Sequence, residues 1–297
     1  MSVRLLAAGA VLAVSIPGAL LAQERPGLAP SGPWTIDYDA DSCALRRSFE
    51  AGEDQVYLEF RRFAPGLGLQ TVIASSRMEA VRPSQFSYRF GDRGEWREAA
   101  APLTATLAND FSAVIFEPSF MPPPDEAEDP DERPSYLQSA EMKAAEIAQA
   151  AAIDTITLRR AFRRVLSLQL GKLDAPIAAL QECVDELTTH WNIDVEAHKT
   201  LTRPATPIDF TDSSSMLGYP PKMARQGMPG LVNIRLDIDE TGRITGCHIQ
   251  MPLSDPAFEA SSCADIQHAF EFEPALDKDG KPIASYWVTK VHFRMAR

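Results

Sequence analysis

Four cysteines, Cys43, Cys183, Cys247 and Cys263, are the residues in this chain best suited to covalent chemistry. The start of the chain reads as an export signal, and an even cysteine count in an exported chain favours disulfides. Three pairings are possible in principle for these four residues. Pairing Cys43 with Cys183 and Cys247 with Cys263 keeps each bridge within one expected domain, and each would contribute about 2–4 kcal/mol in the chain-entropy account. A thiol nucleophile is a poorer reading. Cys247 and His248 are adjacent, and neighbours on a strand point to opposite faces. His190 and His198 stand eight apart with no third ligand close by, so no metal site is expected. Asp237-x-Asp239-x-Thr241-Gly242 matches the first half of a calcium loop, but His248 stands where a bidentate Glu is needed. No P-loop, dinucleotide fingerprint, nucleophile elbow or zinc motif occurs. No catalytic residue, cofactor or metal is therefore expected, and the chain is not expected to be an enzyme.

Period-two runs dominate the region before residue 121. Cys43, Leu45 and Arg47 alternate, as do Val56, Leu58 and Phe60, then Leu69, Thr71 and Ile73, then Phe86, Tyr88 and Phe90, with a further run at Phe111–Phe116. Gly and Pro punctuate them, which argues for an antiparallel sheet. Residues 138–150 permit a helix, and the second half of 155–170 reads as a strand. Asp174 and Pro176 open another helix, with Ile177, Leu180, Val184 and Leu187 on one stripe beside Cys183. The pairs Arg159-Arg160 and Arg163-Arg164 read as a solvated face. Residues 121–134 are acidic and proline-rich, with no face to bury. The expected class is α+β: an N-terminal antiparallel sheet domain (34–194) with a covering helix, a linker (195–217), and a small ββαβ domain (218–297).

Arg4 precedes an uncharged run from Leu5 to Ala22, broken by Pro17-Gly18. This reads as a signal peptide over 1–22 with the mature chain starting at Gln23; the alternative is an uncleaved inner-membrane anchor. Either way the rest of the chain is expected in the periplasm. A net charge of -12 repels phosphate backbones and argues against nucleic acid as a partner.

In the last quarter, Val232, Ile234, Leu236 and Ile238 alternate with Asn233, Arg235 and Asp237, as in a half-buried strand, and Asp239-Glu240-Thr241-Gly242 supplies a hairpin turn. The apolar phase changes parity beside Gly246, which predicts a β-bulge. Asp255 and Pro256 open a helix carrying Cys263, Ile266 and Phe270, which is expected to end at Glu273-Pro274. The final strand places Trp287, Val291 and Phe293 on one face and Tyr286, Val288, Lys290 and His292 on the other.

Tyr219-Pro220, the Gly227-x-x-Gly230 step, Ile238-Asp239-x-x-Gly242 and Phe272-x-Pro274-Ala275 occur in that order. In this respect residues 219–295 resemble the C-terminal domain of the TonB family. The resemblance implies a periplasmic module that binds a protein partner, in that family an N-terminal segment of an outer-membrane receptor, through its edge strand and its tyrosine-proline entry. Carried onto this chain, the positions are Tyr219, Pro220, Tyr286, Trp287, Val288, Lys290 and His292. It also implies a role in energy transduction across the envelope. The Pro-rich spacer of the transducers is replaced here by the folded region before residue 195, which raises an alternative: a soluble exported binding or stability module. A periplasmic hydrolase is the third reading.

Overall fold

The computed structural model describes residues 27–294 apart from 67, 82–85, 108, 122–139, 212–215 and 252–254. The export segment expected at 1–22 and nearly all of the acidic stretch 121–134 lie outside the described residues.

The N-terminal unit holds two antiparallel sheets rather than one. The strands β1 (Thr35–Tyr38), β2 (Cys43–Ala51), β3 (Asp54–Arg62), β4 (Gln70–Ser75), β7 (Leu103–Thr106) and β8 (Ser112–Phe116) form a sheet of order β1-β2-β3-β4-β8-β7. The strands β5 (Ser87–Phe90), β6 (Arg97–Glu98), β9 (Thr155–Arg159) and β10 (Leu166–Gln169) form a second, of order β10-β9-β5-β6. Both halves of 155–170 are thus strands. Ile156 and Leu158 turn into the core, while Arg159 turns out and its guanidinium lies 4.1 Å from the Trp96 ring. That stacking removes Arg159 from the solvated face expected for it, and the arginine pairs had hidden the period-two pattern. Helices α1 (Ala140–Ala151) and α2 (Asp174–His190) complete the unit. The α2 stripe of Ile177, Leu180, Val184 and Leu187 is buried in the same core as Leu45, Phe60 and Phe86 of the two sheets and their flanks. Cys183 bridges to Cys43, with Cα atoms 6.1 Å apart, and so ties helix to sheet. A buried charge needs a partner: Arg62, fully buried, pairs with Glu146 of α1, which also accepts from Gln181 of α2 at 2.8 Å.

In the C-terminal part the chain forms α3 (Val195–His198), β11 (Thr206–Pro207), α4 (Pro221–Gln226), β12 (Gly230–Ile238), β13 (Ile244–Met251), α5 (Pro256–Ala269), β14 (Phe272–Glu273), β15 (Ala275–Leu276), β16 (Pro282–Ile283) and β17 (Ser285–Phe293). The main sheet has the order β13-β12-β17, with α5 packed on it, so the ββαβ core stands as expected. Asp255 caps α5 by accepting from the Ala257 N–H at 2.9 Å. Cys263 of α5 bridges to Cys247 of β13, with Cα atoms 5.9 Å apart. Register shifts occur between Asp237 and Ile238, opposite Gly246 and Ile244, and again between Asn233 and Ile234. The first is the bulge expected beside Gly246.

Three expectations need correction. Helix α5 stops at Ala269 instead of Glu273, because Phe272–Glu273 is extended and pairs with Thr206–Pro207. The stretch 195–217 is not a free linker where it is described: it carries α3 and β11, and Leu201 and Ala205 are buried in the C-terminal core. Strand β12 is buried on both faces, not one. Its even positions meet α5, while Asn233 donates to Gln70 Oε1 at 3.1 Å and Arg235 to Asp41 at 3.2 Å in the N-terminal unit. Polar residues there point at another layer of protein, not at water.

Candidate functional site

Strand β17 forms one margin of its sheet. Among the described residues it pairs only with β12, from Gly230↔Phe293 to Ile238↔Ser285, so its outer margin carries no further strand. An unpaired margin offers backbone N–H and C=O groups to an extended guest.

On the α5 side the margin is aromatic. The Trp287 ring lies 5.3 Å from Phe272 and 6.1 Å from both Phe270 and Phe210. Tyr219 meets Phe293 at 5.4 Å and Phe258 at 5.6 Å, and its hydroxyl donates to the Met228 carbonyl. Burial pushes the Tyr219 phenol pKa up, so it stays a neutral donor. Pro220 is buried and starts α4, which closes at Gly227 in the left-handed conformation with φ 61°. A cavity of about 320 Å³ opens here, lined by Phe210, Tyr219, Phe270, Trp287, Val291 and Phe293, and also by Lys290, His292 and Arg294 of the same strand and its end. The Cys247–Cys263 bridge holds α5 against the sheet behind it.

The opposite side of β17 faces the N-terminal unit. Tyr286 packs at 5.1 Å from Trp191 and 6.1 Å from His198, and burial, then the charge of Asp185, drives its phenol pKa well up. Val288 also packs on the N-terminal core. Lys290 Nζ lies 2.6 Å from Glu117 Oε1, and His292 is exposed at the rim. His198 Nδ1 is 2.7 Å from the Asp194 carbonyl and Nε2 is 2.9 Å from Ser285 Oγ. A carbonyl only accepts, so Nδ1 carries the proton and neutral Nε2 accepts from Ser285.

Of the seven positions named from the sequence, Tyr219 and Trp287 lie on the aromatic side and Lys290 and His292 at the rim, while Pro220 is buried at the start of α4. Tyr286 and Val288 turn towards the N-terminal unit: Tyr286 packs on Trp191, and Val288, half-buried, packs on the N-terminal core and lines a cavity with Lys290. Phe210 and Glu117 also line this region and carried no local signal, whereas Phe270 was legible as part of the apolar helix face. Phe210 lies in the stretch read as linker, and Glu117 merely follows a strand.

Among the described residues, the groups that the sequence singled out for chemistry are engaged with one another or with the backbone. Cys247 faces α5, while His248 Nε2 lies 2.7 Å from Asp237 Oδ2. Asp239 Oδ1 is occupied by the Thr241 N–H at 2.8 Å and the Arg243 N–H at 3.0 Å. Among the described residues no three His, Cys, Asp or Glu side chains cluster to hold a metal, and no helix is long and apolar enough to cross a membrane.

The order of elements, the tyrosine-proline entry and the open edge coincide with one known domain type. Residues 216–295 match the Gram-negative bacterial TonB protein C-terminal family. The match leaves residues 1–215 outside it, and no curated protein matches the chain. TonB C-terminal domains are binding and transducing modules of the bacterial envelope, not enzymes, and they act on protein partners.

Proposed function

We propose that this chain is an exported envelope protein whose TonB-like module takes up an extended segment of a protein partner along β17. The observation that supports this is the open margin of β17 beside an aromatic cavity of about 320 Å³. Main-chain pairing supplies affinity in such an arrangement, and pockets for alternate side chains supply selectivity. An outer-membrane receptor segment is the partner the TonB resemblance favours, with transport across the envelope as the process served.

The test uses the full chain labelled with ¹⁵N and a peptide from the N-terminal segment of an outer-membrane receptor. Amide shifts should concentrate in 285–294. Trp287→Ala should weaken binding by about 30-fold, the scale of a hot-spot aromatic. Shifts elsewhere, or none at millimolar peptide, would exclude this mode.

A second reading is favoured by the bracing of the module. Asn233, Arg235, Gln250 and Lys290 all bond to the N-terminal unit, so the module does not hang on a free tether. In that reading the protein binds its partner without transmitting force. Mass spectrometry finding Gln23 as the mature N-terminus would favour it, since no anchor would remain.

A further inference from the structure

The two sides of β17 differ in chemistry, and the N-terminal unit builds one of them. A cavity of about 330 Å³ lies between the sheet and that unit, lined by Phe63, Glu117, Asn233, Gln250, Lys290 and His292. Phe63 and Glu117 fall outside the matched segment 216–295. The Lys290 ammonium is held by Glu117 at 2.6 Å and sits 5.9 Å from the Phe63 ring centre. The side chains of this ion pair are 23% and 39% exposed, so it stands at the mouth of the cavity and is not sealed within. His292 and Arg294 continue the row outward, both exposed.

Side chains alternate along a strand. A guest laid beside β17 therefore sends one set towards Phe210, Trp287 and Phe293, and the other towards Lys290, His292 and Arg294. Opposite charges facing each other across a strand pair stabilise it, and like charges destabilise it. Resting on the strand-addition reading above, we infer that the N-terminal unit forms one wall of the binding site. The guest is an extended peptide in which aliphatic residues alternate with Asp or Glu. Glu117 is an internal competitor: it occupies Lys290 until a guest carboxylate takes its place. Selectivity then depends on a residue that the TonB-like module itself lacks.

The test uses the full chain and three fluorescein-labelled decapeptides, in which Val alternates with Glu, Ser or Lys, read by anisotropy at low salt. The Glu peptide should bind about tenfold more tightly than the Lys peptide, from a few cross-strand charge pairs. Glu117→Gln is close in shape and at an exposed position, and equal thermal midpoints would verify its fold. It should tighten the Glu peptide about threefold, on the scale of one such pair, and leave the Ser peptide unchanged. Lys290→Gln should weaken the Glu peptide and abolish the effect of Glu117→Gln. If the peptides bind but Glu117→Gln changes none of them, or changes all equally, this inference fails and strand addition stands. Equal binding of the Glu and Lys peptides has the same meaning. If no peptide binds at millimolar concentration, both readings fail.

Discussion

Replacing Arg235 with Leu asks whether the C-terminal sheet and the N-terminal unit hold each other. Arg235 is 5% exposed. Its guanidinium lies 4.5 Å from the Trp191 ring centre and 3.2 Å from Asp41, and it also pairs with Asp237. A desolvated cation–π contact is worth about 2 kcal/mol, and the partly open contact with Asp41 adds about 0.5–1 kcal/mol. Opposing these is the cost of burying the group with Nε unpartnered, about 1–2 kcal/mol. Leu keeps much of the apolar stem, so the net loss for Arg235→Leu is ~1–2 kcal/mol. With a urea slope of about 3 kcal/mol per molar, the midpoint falls by ~0.3–0.7 M. Trp191→Leu and the double variant complete a cycle, whose coupling energy should be about 1–2 kcal/mol. Urea titrations followed by circular dichroism supply all four corners. Strict additivity, with coupling below about 0.3 kcal/mol, would refute the reasoning that this stack joins the two units.

Three further outcomes are expected. Removing the Cys43–Cys183 bridge by double Ser substitution opens a separation of 140 residues and should cost about 5 kcal/mol, against about 3 kcal/mol for Cys247–Cys263 with a separation of 16; guanidinium titrations showing the reverse order would contradict it. Burial lowers the His198 pKa below its ordinary 6.5, outweighing the Asp194 carbonyl and charge that pull it up. The unfolded chain therefore binds the proton first as pH falls, so the stabilisation is complete above about 6.5 and is lost below it, towards the depressed folded value. His198→Asn should flatten this slope in stability measured between pH 7 and pH 5, on the order of the ordinary His range, and an unchanged slope would assign it to other groups. Gly242 has φ 84°, and a Cβ there would meet the Phe272 carbonyl oxygen at 2.0 Å. Gly242→Ala should cost roughly 3 kcal/mol from left-handed strain and the clash together, read as a fall in the thermal midpoint; an unshifted midpoint would mean that the hairpin tip is not braced against β14.

Local rules carried far in this chain where the cause was itself local. The α2 stripe was visible because four apolar residues recur at helical spacing. Asp255 and Pro256 announced a helix start because capping involves only residues a few positions apart. The bulge beside Gly246 was legible in the parity of Ile244 against Cys247 and Ile249. Local pattern is not enough where a partner distant in sequence decides the conformation. Phe270 leaves helical geometry because Phe272–Glu273 pairs with Thr206–Pro207, which no window around residue 270 contains. Arg159 looked solvated because its cover, Trp96, lies in another strand connection.

The candidate site divides in the same way. Trp287, Val291 and Phe293 were assigned to one face by strand alternation alone, and Tyr219-Pro220 by the motif that begins the module. Composition and pattern pointed to an α+β chain, the ββαβ tail and a final strand that could lie at a margin, and they favoured one cysteine pairing among the three possible; the structure decided that pairing. Only the tertiary structure decided what covers each face of that strand. Tyr286 and Lys290 share a face and carry the same alternation signal, yet Tyr286 is packed against Trp191 while Lys290 stands at an open cavity beside Glu117. Alternation specifies which face a side chain takes; whether water, a partner or another part of the chain occupies that face depends on how distant segments pack.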